Sequence, residues 1–255
     1  MSDPQDSHLA KVPAITLGFW VVKILATTFG ETAGDTVSMS MNLGYLVGTA
    51  IFATLLIVLV AGQIAARRFH PALYWTTIIA STTAGTTMAD FATRSLGIGY
   101  PGGSLILLAA VLISLAAWHR TAGSISIHSV STSQTEIFYW ITITFSQTLG
   151  TALGDWVADS PLGYLGSAVV FGMLLAMLAL AYYRTSANRV GLFWAAFILT
   201  RPLGAVVGDF LDKPLDHGGL ALSRAGASAV LAAAIIILLL VLPQRAAGSG
   251  ALRAH

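Results

Sequence analysis

The chain has 255 residues, of which 56% are hydrophobic and 9% charged, and its mean hydropathy is +0.78. A soluble domain carries about 25% charged residues, so a water-facing surface cannot be covered here, and the composition reads as a polytopic membrane protein partnered by the lipid bilayer. A net charge of +2 without a dense basic cluster argues against nucleic acid, and the absence of cysteine excludes disulfides, zinc–thiolate sites and iron–sulfur clusters.

Residues 1–13 form a polar tail with two Asp, lacking the basic and apolar regions of a signal peptide, so the first hydrophobic run reads as a retained helix. Four units follow, at 14–64, 72–119, 137–184 and 190–243. The Ser/Thr-rich stretch 120–136 reads as a linker between two halves, and 244–255 as a second tail. Each unit holds two hydrophobic segments. The first runs from Phe19-Trp20 to Asp35, Tyr74-Trp75 to Asp90, Tyr139-Trp140 to Asp155 and Phe193-Trp194 to Asp209. The second covers roughly 44–64, 100–118, 164–183 and 220–242. Three of these second segments open on Gly-Tyr, and the fourth has Gly218-Gly219 instead.

These lengths suit the ~20 residues that cross a bilayer, and the apolar runs are continuous rather than alternating. The expected fold is therefore all-α, with eight transmembrane helices arranged as four parallel two-helix repeats around a pseudo-symmetric axis. Lys11, Arg67, Arg68, Arg120, Arg184, Arg189, Arg245 and Arg253 fall on one side, Arg94 and Lys213 on the other. The richer side is expected to be cytoplasmic, with both termini inside a bacterial inner membrane and the four Trp at the cytoplasmic interface. Lys23, three residues past Trp20, is expected to snorkel to that interface.

In every unit the Trp is followed ten residues later by a Gly and fifteen residues later by an Asp. Steps of four from seven residues past the Trp share one helix face. They give Thr27, Glu31 and Asp35; Thr82, Thr86 and Asp90; Gln147, Thr151 and Asp155; and Arg201, Ala205 and Asp209. Ionisable residues in an apolar helix are costly and mark function by default. The candidate cation- and proton-binding set, also the candidate metal ligands, is Glu31, Asp35, Asp90, Asp155 and Asp209. Thr27, Thr82, Thr86, Gln147 and Thr151 supply a polar lining, and Arg201 a counter-charge. Such oxygen ligands suit magnesium, calcium, manganese or protons. The Gly positions suit close helix approach or a carbonyl-exposing break, and Asp159, Asp212 and Asp216 make the outer mouth acidic.

The repeated Trp, the Gly-x-x-x-[Gly/Ala]-Asp ending and the Gly-Tyr opening resemble a bacterial inner-membrane family of four tandem two-helix repeats, each with a tryptophan, described as membrane-anchored and of unknown function. The resemblance covers residues 13–243 and implies eight helices. The run Glu31-Thr-Ala-Gly-Asp35-Thr36 is also similar to the Glu-x-Gly-Asp-Lys-Thr/Ser signature of a calcium/manganese cation-exchanger family, with one residue added and the Lys missing.

The expectation that follows is a non-enzymatic, proton-coupled exporter of a divalent metal, manganese favoured, with metal and protons as its partners and no resident cofactor. No nucleotide-binding motif is present, and no His or nucleophile accompanies Glu31 and Asp35. The alternative is a membrane scaffold or assembly factor whose repeated Asp residues are structural caps. The apolar exterior leaves room for a homo-oligomer.

Overall fold

The computed structural model describes residues 10–248. The expected tails 1–13 and 244–255 therefore lie largely outside the described residues, as does Arg253 of the charge count. Among the described residues, eight α-helices make up the fold: α1 (Leu17–Asp35), α2 (Gly44–Ala65), α3 (Pro71–Asp90), α4 (Gly99–Ala122), α5 (Ser133–Ala158), α6 (Gly163–Arg184), α7 (Arg189–Asp212) and α8 (Arg224–Val241). The same residues contain no named strands, only one isolated bridge between Pro13 and Ala246. Five helices (α2, α4, α6, α7 and α8) are long and apolar enough to cross a membrane. The remaining three are rich in buried Thr, Ser and Gly, which lowers their hydropathy without exposing them.

The first helices of the four repeats are inner helices and the second are outer ones. α1 packs on α3, α3 on α5, α5 on α7, and α7 back on α1, so the inner helices close a ring. Each outer helix packs chiefly against the inner helix of the following repeat: α2 on α3, α4 on α5, α6 on α7, and α8 on α1. The outer helices otherwise present large apolar side chains such as Leu46, Ile57, Ile113, Met177 and Leu240 to the exterior.

Two sets of contacts set the ring's register, and each steps once around all four repeats. At one end the residue before each Trp meets the Trp of the next repeat. Phe19 lies 5.5 Å from Trp75, Tyr74 5.8 Å from Trp140, Tyr139 6.2 Å from Trp194, and Phe193 5.8 Å from Trp20, between ring centroids. Tyr74 and Tyr139 also share a 2.6 Å hydrogen bond between their hydroxyls. Ten residues past the Trp, each Gly receives the side chain found seven residues past the next Trp. Gly30 faces Thr82, Gly85 faces Gln147, Gly150 faces Arg201, and Gly204 faces Thr27. Four residues further on, Gly34 faces Thr86, Gly154 faces Ala205, and Gly208 faces Glu31. Small residues at these positions let the helix backbones approach closely. Aromatic ends meet aromatic ends and Asp ends meet Asp ends, so the inner helices run parallel.

Trp75, Trp140 and Trp194 are buried in an aromatic core, because the Trp of one helix fills the space beside the next. One expectation is corrected, that for Lys23. Lys23 does not snorkel. It is fully buried, its ammonium 3.5 Å from the Thr200 hydroxyl and 4.2 Å from the centre of the Phe197 ring. α4 runs to Ala122 and α5 starts at Ser133 behind a Thr132 N-cap, leaving a short connection packed on the aromatic end.

That end is covered by three chain segments. Lys11 N–H donates to Val130 O, Ala14 N–H to Arg245 O, and Ala247 N–H to Val12 O. The Lys11 ammonium bonds Gln63 O and Ile64 O at the end of α2 and lies 2.7 Å from Glu136 in α5. The Gly-Tyr openings have a simple cause: Gly44, Gly99 and Gly163 sit at φ of +76°, +74° and +59°, where a Cβ is disfavoured.

The ring geometry makes a direct prediction. A Cβ at Gly204 would lie 2.2 Å from the Thr27 hydroxyl and 2.8 Å from its backbone carbon, whereas one at Gly172 meets nothing within 4 Å. Gly204→Ala is expected to destabilise the protein by about 1–3 kcal/mol, while Gly172→Ala is neutral or gains up to ~1 kcal/mol of helix propensity. Thermal unfolding of the detergent-solubilised variants checks this.

Candidate functional site

The four-residue steps of the inner helices stack into levels within the ring. Three residues past the Trp stand Lys23, Ile78, Ile143 and Phe197, all fully buried. The next level holds Thr27, Thr82, Gln147 and Arg201, and the one after it Glu31, Thr86, Thr151 and Ala205. Asp35, Asp90, Asp155 and Asp209 follow. All twelve side chains are buried. Fifteen residues of helix rise ~22 Å, so the Asp level lies far from the Trp level.

Arg201 belongs to one level but acts in the next. Ala205 is too short to reach its neighbours, and the guanidinium of Arg201 extends one turn to take that place. Its Nη2 lies 2.8 Å from Glu31 Oε2 and donates to the Thr86 hydroxyl at 2.6 Å and to the Thr151 hydroxyl. Nη1 reaches Thr27 O at 3.5 Å. One side chain from each repeat thus meets at a single point. Gly150 makes the route possible, since a Cβ there would stand 2.1 Å from Arg201 Cγ. α7 remains helical through Pro202, and the Gly positions serve close approach, not an opened backbone.

The Asp level divides into two pairs, each bridged by a base four residues beyond an Asp. Arg94 lies 2.8 Å from Asp90 Oδ1 and 3.0 Å from Asp155 Oδ2. Lys213 lies 2.9 Å from Asp209 Oδ1 and 2.7 Å from Asp35 Oδ2. Both bases stand nineteen residues past a Trp, where the other two repeats have Met39 and Asp159. In each case the base links its own repeat's Asp to that of the next repeat. Burial works against the charge of Lys213, but Asp209, Asp35 and Asp212 outweigh it and hold its pKa above the ordinary lysine value.

Glu31, Asp35 and Asp209 each offer one carboxylate oxygen within 4.8 Å of the others, and all three residues are buried. They are hard ligands at a spacing suited to one oxygen-coordinated cation. Asp90 and Asp155 are not part of that group and face Arg94. Of the expected lining, Thr86 bonds Gly30 O, Thr82 O and Glu31. Thr27 bonds Ile24 O and Thr200 O. Asp159 and Asp216 are exposed, whereas Asp212 is buried and paired with Arg224 at 2.8 Å. Arg224 lies outside the repeated Trp, Gly and Asp spacing. It opens α8, lies 3.8 Å from Asp35 Oδ2, and donates to the Ser40 hydroxyl. An arginine at the first position of an 18-residue apolar helix was the available signal.

Comparison with known proteins places the chain in a family described as a repeat of unknown function (DUF347). The family matches four times, at residues 18–69, 73–124, 138–188 and 192–244, and the chain belongs to it. Each match holds one inner and one outer helix. No curated protein and no solved structure matches the chain.

The Arg201–Glu31 pair is expected to behave as a coupled unit. Arg201→Met strands a buried carboxylate and should cost about 3–5 kcal/mol. Combining Arg201→Met with Glu31→Gln leaves no charge behind and costs much less than the sum of the two single changes. Denaturation of the three variants gives the coupling energy, and additive losses would contradict the pairing.

Proposed function

We propose that this protein is a proton-coupled secondary transporter, an exporter of a divalent metal cation with manganese favoured, in a bacterial inner membrane. In this reading all eight helices span the bilayer, the four parallel repeats surround a pseudo-symmetric axis along its normal, and both termini are cytoplasmic. The carrying observation is the group Glu31, Asp35 and Asp209, three buried carboxylates whose oxygens converge within 4.8 Å inside the helix ring. Ionisable groups at such depth are expensive and mark transport pathways by default.

Charge balance supports the choice of cargo. Among the described residues, six buried carboxylates line this half of the ring: Glu31, Asp35, Asp90, Asp155, Asp209 and Asp212. Their ion pairs are with four bases, Arg94, Arg201, Lys213 and Arg224. The formal excess of two negative charges equals what one divalent cation or two protons neutralise. Exchange between those two ligands needs no further chemistry, because carboxylates ligate metal only when deprotonated.

Lys213 and Arg201 then act as built-in counter-ions that hold the site when no metal is bound. A metal entering between Glu31, Asp35 and Asp209 shifts the Lys213 ammonium, a compact charge on a flexible stem at the end of α7, toward Asp212, which already lies 3.9 Å away, so the base stays in the charge count. Arg94 grips Asp90 and Asp155 with a planar guanidinium and serves as a staple. One observation favours the scaffold reading instead: every repeat-ending Asp has a basic partner within 3.0 Å. In that reading the charges tie four repeats together and nothing is carried.

Flux separates the two. Proteoliposomes with an imposed pH gradient should move manganese, with magnesium, calcium and zinc as comparisons, and binding should weaken as pH falls. Glu31→Gln and Asp35→Asn should each reduce flux at least about tenfold, equivalent to ~1.4 kcal/mol, while the protein remains extractable. Thr86→Val, which loses a neutral group, should reduce it less. Wild-type flux indifferent both to the gradient and to Glu31→Gln would leave the scaffold reading standing.

A further inference from the structure

One level of the ring is incompletely satisfied. The Thr82 hydroxyl, both ends of the Gln147 amide and Nε of Arg201 have no hydrogen-bond partner among the described residues, although all three side chains are fully buried. Ser146, next to Gln147, adds a buried hydroxyl in the same condition. The fourth member of the level differs, since the Thr27 hydroxyl bonds Ile24 O and Thr200 O.

These orphan groups are not scattered. Thr82 lies on Gly30, Gln147 on Gly85, and Arg201 on Gly150, so they occupy successive seams between inner helices at one depth. Buried polar groups in folded proteins nearly always have partners, in the protein or in ordered water. Leaving several unpaired at one level would remove a large part of a domain's net stability.

The chemistry of the set identifies the ligand. Nε of Arg201 only donates. The amide offers two donors and one acceptor, and the hydroxyls do either. Nε of Arg201 and the amide N–H groups offer no lone pair to a metal ion, and the lone pairs of the amide, the hydroxyls and nearby Glu31 disfavour an anion. A small neutral molecule that donates and accepts satisfies all of them, and each internal water needs two to four such partners. We propose that the ring binds a water cluster at the level of Thr82, Gln147 and Arg201, directly beneath the Arg201–Glu31 pair. The level on its other side, apart from Lys23, is the apolar layer of Ile78, Ile143 and Phe197, so the cluster is enclosed from the aromatic end. Water here sits one helical turn from the Glu31 level, ~6 Å by helix rise, and gives that carboxylate a proton-carrying neighbour on the side away from the Asp level. The site stands on its own geometry, whether or not an ion is carried.

The test uses the full-length protein reconstituted in lipid. Water-edited solid-state NMR should show magnetisation passing from water to the Gln147 side-chain amide, identified by its loss in Gln147→Met. Thermal midpoints give a second reading. If water satisfies these groups, Thr82→Val and Gln147→Met each lower the midpoint, by about 2–4 °C for a chain of this size. If the level is dry, the same changes remove unsatisfied polar atoms and raise it. A rise in either variant, or no transfer from water to the amide in the wild-type protein, overturns the proposal. Where a variant fails to fold, the wild-type spectrum alone decides.

Discussion

The constraint on which the structure depends is the notch that each inner helix offers the next. A glycine ten residues past every Trp, with Gly34, Gly154 and Gly208 four residues later, removes the side chain where the neighbouring helix must pass. Small residues at these points let the backbones come close enough for dense packing. Each notch is filled by a residue of the following repeat, and the last is filled by Thr27 of the first. No repeat is complete alone. The outer helices follow the same rule, since each covers the inner helix of the next repeat and α8 returns to α1.

Because every repeat obeys one register, positions four residues apart become levels of a common interior, and substitution at a single position changes one quarter of a level. A ring built only from the repeat's shared residues would carry threonine, glycine and four aspartates. The charged departures put ion pairs into that lining. Glu31 replaces a hydroxyl, Arg201 reaches across the space left by Ala205, and bases beyond the Asp level appear only in the second and fourth repeats. That alternation divides four equivalent aspartates into two unlike pairs. One is held by the planar guanidinium of Arg94, the other by the compact ammonium of Lys213.

The Trp, Gly and Asp spacing made the repeats and the depth of each level legible from sequence, because a helix converts fixed spacing into fixed height. It also marked Arg201 as a counter-charge to the acidic set, and the structure seats it on Glu31. Which neighbour each repeat would grip was not legible, as spacing along one helix says nothing about order around a ring. For the same reason spacing did not reveal that each tryptophan interlocks with the aromatic residue of the preceding repeat. Lys23 was misplaced because its distance from the Trp allowed a path to the interface. The side chain instead lies over Phe197, beside Thr200. Arg224 was invisible as a partner because its link to Asp212 and Asp35 depends on α8 folding back onto α1.

The most direct measurement is anomalous X-ray diffraction from crystals of the full chain grown with manganese at a pH where carboxylates are ionised. The account predicts one strong peak between the carboxylates of Glu31, Asp35 and Asp209, with the Lys213 ammonium moved away from Asp35 and Asp209 and the Arg94 bridge unchanged. Lys213 still seated on both carboxylates with no manganese in the ring, or manganese bound only between Asp90 and Asp155, would contradict it.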